Sequence, residues 1–232
     1  MSPQLPLALR FPADQRFQDF IGSEGVRDLV SAVACGEHNH WLYLAGATGS
    51  GKTHLLLAAC AEAGEQRATY FPLAAMAGRL EQAMVGAEMS GLVCLDGVEA
   101  ITGHREDEVA LFHFHNRARA EGARVIYAAS AMPTALQLVV PDLASRLEQC
   151  TRLALTPLDE AGRREVLTRR ASRRGLELDD AVLDYLFRRV GRDLGTLTAL
   201  LDRLDRESLA AQRRITVPFL RQFLPAANDP GR

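Results

Sequence analysis

Gly46-Ala47-Thr48-Gly49-Ser50-Gly51-Lys52-Thr53 satisfies the phosphate-loop pattern G-x-x-x-x-G-K-[ST] at every fixed position. The flanks supply the required context. Trp41-Leu42-Tyr43-Leu44-Ala45 is a short apolar run of strand type, and His54-Leu55-Leu56-Leu57-Ala58-Ala59-Cys60-Ala61 reads as a buried helix. Gly46, Gly49 and Gly51 allow backbone conformations closed to other residues, which turns successive N–H groups toward a phosphate. A helix starting near Lys52 adds its positive dipole end. Lys52 can reach the β- and γ-phosphates, and the Thr53 hydroxyl can ligate Mg²⁺. A chain carrying this stretch is expected to bind ATP or ADP.

Downstream, Leu92-Val93-Cys94-Leu95-Asp96 is an apolar run closed by one carboxylate about forty residues after the loop. That is the form of a central parallel strand whose terminal acid, Asp96, orders Mg²⁺ and its waters. Ala68-Thr69-Tyr70-Phe71, Arg124 to Ala129 and Thr151 to Leu155 are further strands, and Ser130, closing the second of these, would sit near a γ-phosphate. Helices are expected over about Ser23–Gly36, Leu73–Ala87 and Glu106–Glu121. Four or five strands alternating with helices predict an α/β fold with a doubly wound parallel sheet.

Thr156-Pro157 breaks the pattern. Beyond it only helices are predicted, over about Asp159–Arg174, Asp179–Arg189, Leu194–Gln212 and Val217–Phe223, with Leu197, Leu200, Leu201 and Leu204 on one stripe. Residues 11–157 are therefore read as the α/β domain and 158–232 as a small helical domain, with Asn228–Arg232 frayed. At the other end, Gln4-Leu5-Pro6-Leu7-Ala8-Leu9 is too apolar for a solvated tail. Two prolines favour an extended segment able to lay leucines into a groove or to pack on its own domain.

Composition excludes several classes. No apolar stretch reaches membrane-spanning length and no signal peptide is evident, so the cytoplasm is the expected location and no membrane the expected partner. The 232 residues carry a net charge of −2, divided as 12 basic and 17 acidic residues through Pro157 and 15 basic and 12 acidic after it. The arginines at 163, 164, 169, 170, 173 and 174 read as a solvated helix face more readily than as a nucleic-acid patch. Cys35, Cys60, Cys94 and Cys150 read as buried free thiols, and Met76, Met84 and Met89 as core residues. His113 and His115 point apart on a helix, and His38 and His40 lack nearby carboxylates or thiols, so no metal site beyond nucleotide-bound Mg²⁺ is expected.

Taken in order, the phosphate loop with His54 after it, the acid-ended strand, Pro141-Asp142-Leu143-Ala144-Ser145-Arg146-Leu147 and the helical C-terminal unit resemble an AAA+ ATPase. Leu201-Asp202-Arg203-Leu204-Asp205 and Gln212 to Pro218 narrow the resemblance to the DnaA branch, and within it to the Hda family, the regulatory inactivators of DnaA. The resemblance implies that residues Gly46–His54, Asp96 and Ser130 hold the nucleotide. It also implies that the chain docks on the DNA-loaded polymerase sliding clamp and promotes hydrolysis of DnaA-bound ATP. Gln4, Leu5, Leu7 and Leu9 match the clamp-binding motif. Arg146 matches the arginine finger, although an ion pair with Asp142 or Glu148 is the competing reading. No direct sequence-specific DNA binding is implied, because the chain stops where the helix-turn-helix domain of DnaA would begin. Two-fold or head-to-tail self-association, such as a homodimer, is implied by analogy alone.

Three departures stand out. Gly97 occupies the position where many AAA+ proteins carry a water-activating Glu, Gly195 the position of the sensor arginine, and Ser130 that of an Asp or Asn. They predict weak intrinsic ATPase activity and a nucleotide that serves as a structural ligand. Two other readings remain at this stage: an autonomous ATPase remodeller or loader, and a clamp adaptor with a vestigial nucleotide site.

Overall fold

The computed structural model describes residues 15–64, 67–190, 194–211 and 215–223. Gln4, Leu5, Leu7, Leu9, Arg192, Gln212–Arg214 and the end from Asn228 onward lie outside them. The chain divides into two compact units, with the boundary between Pro157 and Leu158.

In the first unit, β1 (Leu42–Ala45), β2 (Ala68–Pro72), β3 (Leu92–Asp96), β4 (Arg124–Ala129) and β5 (Thr151–Ala154) form one sheet in the order β2-β3-β4-β1-β5. Every pairing is parallel. The period-two alternation of strand side chains divides the apolar residues between two faces. Leu42, Leu44, Leu92, Cys94, Ile126 and Ala128 pack with Val30 and Val33 of α1 (Glu24–Cys35) and Leu55 and Leu56 of α2 (Lys52–Ala63). Tyr43, Val93, Leu95, Val125 and Tyr127 form the other face. They meet Leu80 of α3 (Leu80–Ala83), Leu111 and Phe114 of α4 (Arg105–Ala120), and Leu143 and Leu147 of α5 (Pro141–Glu148). Central strands buried on both sides are near-continuous apolar runs for this reason, each large side chain contributing about 1.5–3 kcal/mol.

The chain leaves β1 across β4 and β3 to reach β2, and later places β5 on the opposite flank of β1. This reversal opens a crevice at the carboxyl end of β1, where α/β sheets take ligands.

Three expectations need correction. The helix over 73–87 is broken into short turns and α3, because Gly78 and Gly86 adopt φ of +80° and +77° and end each turn. The Asp107 carboxylate accepts the freed N–H groups of Gly78 and Leu80. Cys60, Cys94 and Cys150 are buried free thiols, whereas Cys35 is exposed on the last turn of α1, its Sγ 3.8 Å from Glu62 Oε1. Met84 is buried, but Met89 is 75% exposed, since the turn carrying it follows Gly86 out of the core.

Glu108 is fully buried in the first turn of α4. Its carboxylate accepts three backbone N–H groups, those of Gly103, Val139 and Val140, each at 2.8 Å. Charge-assisted bonds of this kind offset the desolvation of a buried carboxylate. They tie α4 to the entry of α5, which begins with Pro141 at its first turn, where the missing N–H costs nothing.

The second unit consists of α6 (Glu160–Arg173), α7 (Asp180–Val190), α8 (Leu194–Ala211) and α9 (Val217–Phe223). Asp159 caps α6 by accepting the Gly162 N–H at 2.8 Å. Leu197, Leu200, Leu201 and Leu204 are all buried, as their spacing predicts, and three of them pack with Leu167, Leu183, Leu186 and Leu220. Three of the six arginines on the arginine-rich face pair with carboxylates, and Arg163 donates to the Leu158 carbonyl. Arg164 pairs with Asp184 and Glu160, Arg169 with Glu165, and Arg174 with Asp202. Such exposed pairs contribute little stability.

Candidate nucleotide site and the opposite edge of the sheet

The phosphate loop joins β1 directly to α2, and its backbone has the form the glycines allow. Gly49 and Gly51 take φ of +79° and +93°. A Cβ at Gly51 would come within 2.8 Å of the buried Phe20 ring, so residue 51 is held to glycine by both conformation and space. The loop's polar groups are poised for a ligand. Ser50 Oγ is buried without a hydrogen-bond partner among the described residues, and Lys52 Nζ donates to the loop's own carbonyls at Gly46 and Ala47. Burial lowers the Lys52 pKa, opposed by the carboxylates of Glu99 and Asp96. A cation facing two acids and a cradle with an unsatisfied hydroxyl fit a phosphate chain.

Asp96, at the carboxyl end of β3, accepts the Thr53 hydroxyl at 2.6 Å and the Tyr70 hydroxyl at 2.8 Å on the same oxygen. The two residues singled out for Mg²⁺ are thus brought together. Tyr70, at the third position of an unremarkable strand, is not legible in the sequence as a site residue. Its phenol is pushed well above its ordinary range by burial first and by Asp96 second, so it remains a donor. His54 sits in the first turn of α2, but its Nε2 lies 2.9 Å from the Arg16 carbonyl and its ring packs 5.7 Å from Phe20. It therefore braces the segment preceding α1.

Ser130 lies just past β4, and its backbone N–H donates to Glu99 Oε2 at 3.0 Å. Gly97 adopts φ of +83° and starts a tight turn over Val98–Ile101. This left-handed step swings Glu99, two residues beyond the missing water-activating position, toward Ser130 and Lys52. Sequence spacing alone does not reveal it, because the reach depends on that turn. Gly195 lies exposed in the first turn of α8 and offers no side chain to a nucleotide. Among the described residues no cluster of His, Cys, Asp and Glu could hold a metal ion by itself.

Arg146 occupies the other end of the sheet. Its carbonyl accepts the Cys150 thiol at 3.7 Å, and the chain then enters β5 through Thr151, whose N–H donates to Trp41 O just before β1. The four residues of β1, about 13 Å of strand, separate this edge from the phosphate loop. Neither Asp142 nor Glu148 forms an ion pair with Arg146. The guanidinium is half-buried and has no carboxylate partner among the described residues. Its charge instead bears on His115, which is buried in α4 against the Trp41 ring at 4.3 Å, with Nδ1 3.0 Å from the Tyr127 hydroxyl. His113, two residues earlier, is exposed, so the two histidines do point apart.

Residues 159–224 match the model of the family described as "Hda, lid domain". The first unit with its lid also resembles AMPPCP-bound DnaA from Aquifex aeolicus, with a TM-score of 0.66 and 24% identity over 84% of this chain and 66% of that one. Over residues 159–224 the chain thus matches an Hda lid, and over most of its length it has the fold of DnaA. Domain III of the Thermotoga maritima initiation protein DnaA gives a TM-score of 0.72 at 18% identity, covering 92% of this chain and 97% of that one. The Thermotoga maritima RuvB Holliday junction branch migration motor gives 0.61 at 19%, covering 91% and 71%. The chain thus spans just under two thirds of the Aquifex DnaA chain and nearly all of the isolated Thermotoga domain. Its fold class is the one its sequence predicts: a P-loop parallel sheet followed by a helical lid. No helix among the described residues is long and apolar enough to cross a membrane.

Proposed function

We propose that this chain is a nucleotide-binding regulator of replication initiation that lends Arg146 to ATP held by DnaA. The observation that carries this reading is the separation of the two chemistries on one sheet. The intact phosphate loop lies at the carboxyl edge, and an arginine with no carboxylate partner among the described residues lies at the amino edge, a strand's length away. An arginine so far from its own nucleotide loop is available only to another subunit, where it can stabilise charge on a transferred phosphoryl group. The Hda-type lid and the DnaA-like sheet support DnaA as that subunit, and solved DnaA structures bound to AMPPCP support nucleotide binding.

In the chain's own pocket, Gly46–Thr53 and Ser130 would hold ATP or ADP, and Thr53 with Asp96 would hold Mg²⁺, which would screen phosphate charge. Gly97 and Gly195 leave this pocket poorly equipped for turnover, so the nucleotide acts as a ligand that stabilises one conformation. Docking on the DNA-loaded sliding clamp through Gln4, Leu5, Leu7 and Leu9, and residence in the cytoplasm, complete the reading.

Two measurements test it. Lys52→Ala is expected to weaken ATP or ADP binding by about tenfold to a hundredfold, measured by titration calorimetry, because the loop's point charge on the phosphates is lost. Unchanged nucleotide affinity and unchanged DnaA inactivation would leave a pure clamp adaptor as the better account. In the second, hydrolysis of DnaA-bound ATP is followed with DNA-loaded clamp. Gln4→Ala/Leu5→Ala is expected to lose clamp association, whereas Arg146→Ala is expected to keep it and lose stimulation. Appreciable ATP turnover by the isolated chain, abolished by Lys52→Ala, would instead favour an autonomous ATPase.

A further inference from the structure

The amino edge of the sheet holds a second arginine that the sequence motifs do not single out. Arg119, on the last turn of α4, is exposed, and its guanidinium lies over the Trp41 ring at 5.9 Å. Stacking on an indole face is favourable and limits the side chain's freedom, so less entropy is lost when the guanidinium engages a ligand. No carboxylate pairs with it among the described residues.

Arg119 opens onto a cavity of about 340 Å³, also lined by Asn39, His40, Trp41, Gln149 and Thr151. Gln149 directly follows α5, so the wall of this cavity continues into the helix that carries Arg146. No carboxylate lines it among the described residues. Arg124 borders it as well, but that side chain is spent on the carbonyls of Val33, Ala34 and Gly91. Beneath lies His115, which burial and the charges of Arg146 and Arg119 keep neutral. Arg119 and Arg124 therefore face a cavity with no carboxylate in its described lining, and Arg146 lies near enough for its charge to bear with that of Arg119 on His115, all on a unit with 12 basic against 17 acidic residues. Like charges left together unpaired repel, and an incoming anion relieves that repulsion.

We propose that Arg119 is a second trans-acting cation, which engages the triphosphate of the partner-held nucleotide beside Arg146. The proposal rests on the reading of Arg146 given above. Arg146 meets the transferred phosphoryl group and Arg119 secures the triphosphate, so the patch responds to the nucleotide state of the partner. A bidentate guanidinium suits phosphate oxygens better than an ammonium, and only part of its effect is expected to survive in lysine.

The test uses the full chain with DNA-loaded clamp and DnaA loaded with ATP or with ADP. Arg119→Ala is expected to raise the concentration needed for half-maximal stimulation by about tenfold to thirtyfold. It is expected to weaken association with ATP-loaded DnaA while leaving association with ADP-loaded DnaA within about twofold. Arg119→Lys should recover part of the loss. Arg117→Ala, two residues away and paired with Glu88, serves as the surface control. Wild-type behaviour of Arg119→Ala with loss of stimulation in Arg146→Ala would overturn the role of Arg119 and leave the finger standing. Equal weakening toward both nucleotide states would also overturn it, since the anion would then belong to the partner's protein surface. If neither Arg119→Ala nor Arg146→Ala changed stimulation, the finger reading itself would fall.

Discussion

Arg146→Ala is expected to lower clamp-dependent hydrolysis of DnaA-bound ATP by roughly 10³-fold or more, about 4 kcal/mol of transition-state stabilisation. The magnitude follows from what a guanidinium supplies: a fixed charge and paired donors, aimed at oxygens that gain charge only as the phosphoryl group transfers. Its site of origin keeps other properties intact. Arg146 is half-buried near the end of α5, while Leu143 and Leu147 on the same helix fill the core, so the variant should retain its fold. Clamp association and nucleotide affinity should be unchanged, since Gly46–Thr53 lie at the other edge of the sheet. Full stimulation by Arg146→Ala, measured as single-turnover release of phosphate from DnaA, would remove Arg146 from the chemistry.

The second large effect concerns stability. His115 is held down to a pKa of about 4, by burial first and then by the charges of Arg146 and Arg119. Its ordinary value is about 6.5, so the unfolded chain takes up the proton first as pH falls. Folding stability therefore declines as pH drops through the window from about 6.5 to about 4, and levels off for this residue once both states are protonated. The contribution is about 3 kcal/mol across that window. His115→Phe removes the titrating group while keeping an aromatic ring beside Trp41. Denaturant unfolding at pH 7 and pH 4 should show wild type losing about 3 kcal/mol more than the variant. Parallel losses would show that His115 is solvated enough to titrate normally.

Much of the sheet was legible because its signals are local. The apolar run from Leu92 to Leu95, the glycines of the phosphate loop and the spacing to Asp96 each depend on neighbours in sequence. The same holds for the leucine stripe of α8, where helical periodicity alone determines which side chains meet the core. What escaped depends on chain reversals. Leu73–Ala87 looks apolar enough for a helix, yet two glycines with positive φ divide it, and the side chain that accepts the freed N–H groups, Asp107, lies about thirty residues downstream. Glu99 enters the candidate nucleotide site only through the left-handed step at Gly97, and Tyr70 only because β2 pairs with β3 in the register that sets Pro72 opposite Asp96. Arg119 is one of several arginines on a helix end. Only the approach of α4 to Trp41 distinguishes it.

The parallel sheet with a nucleotide loop at one edge and cations at the other has a direction. A row of such subunits would have two unlike ends, one presenting a pocket and the other presenting arginine. Contacts between unlike surfaces do not close on themselves by default, so the length of a row is set by whichever member fails to offer the next surface. A subunit that supplies arginine while keeping a pocket ill-suited to turnover can stand at the end of a row and discharge the member beside it without requiring a neighbour of its own. In such an arrangement, stoichiometry is governed by which end each partner presents, and a modest excess of this chain would shorten rows of its partner.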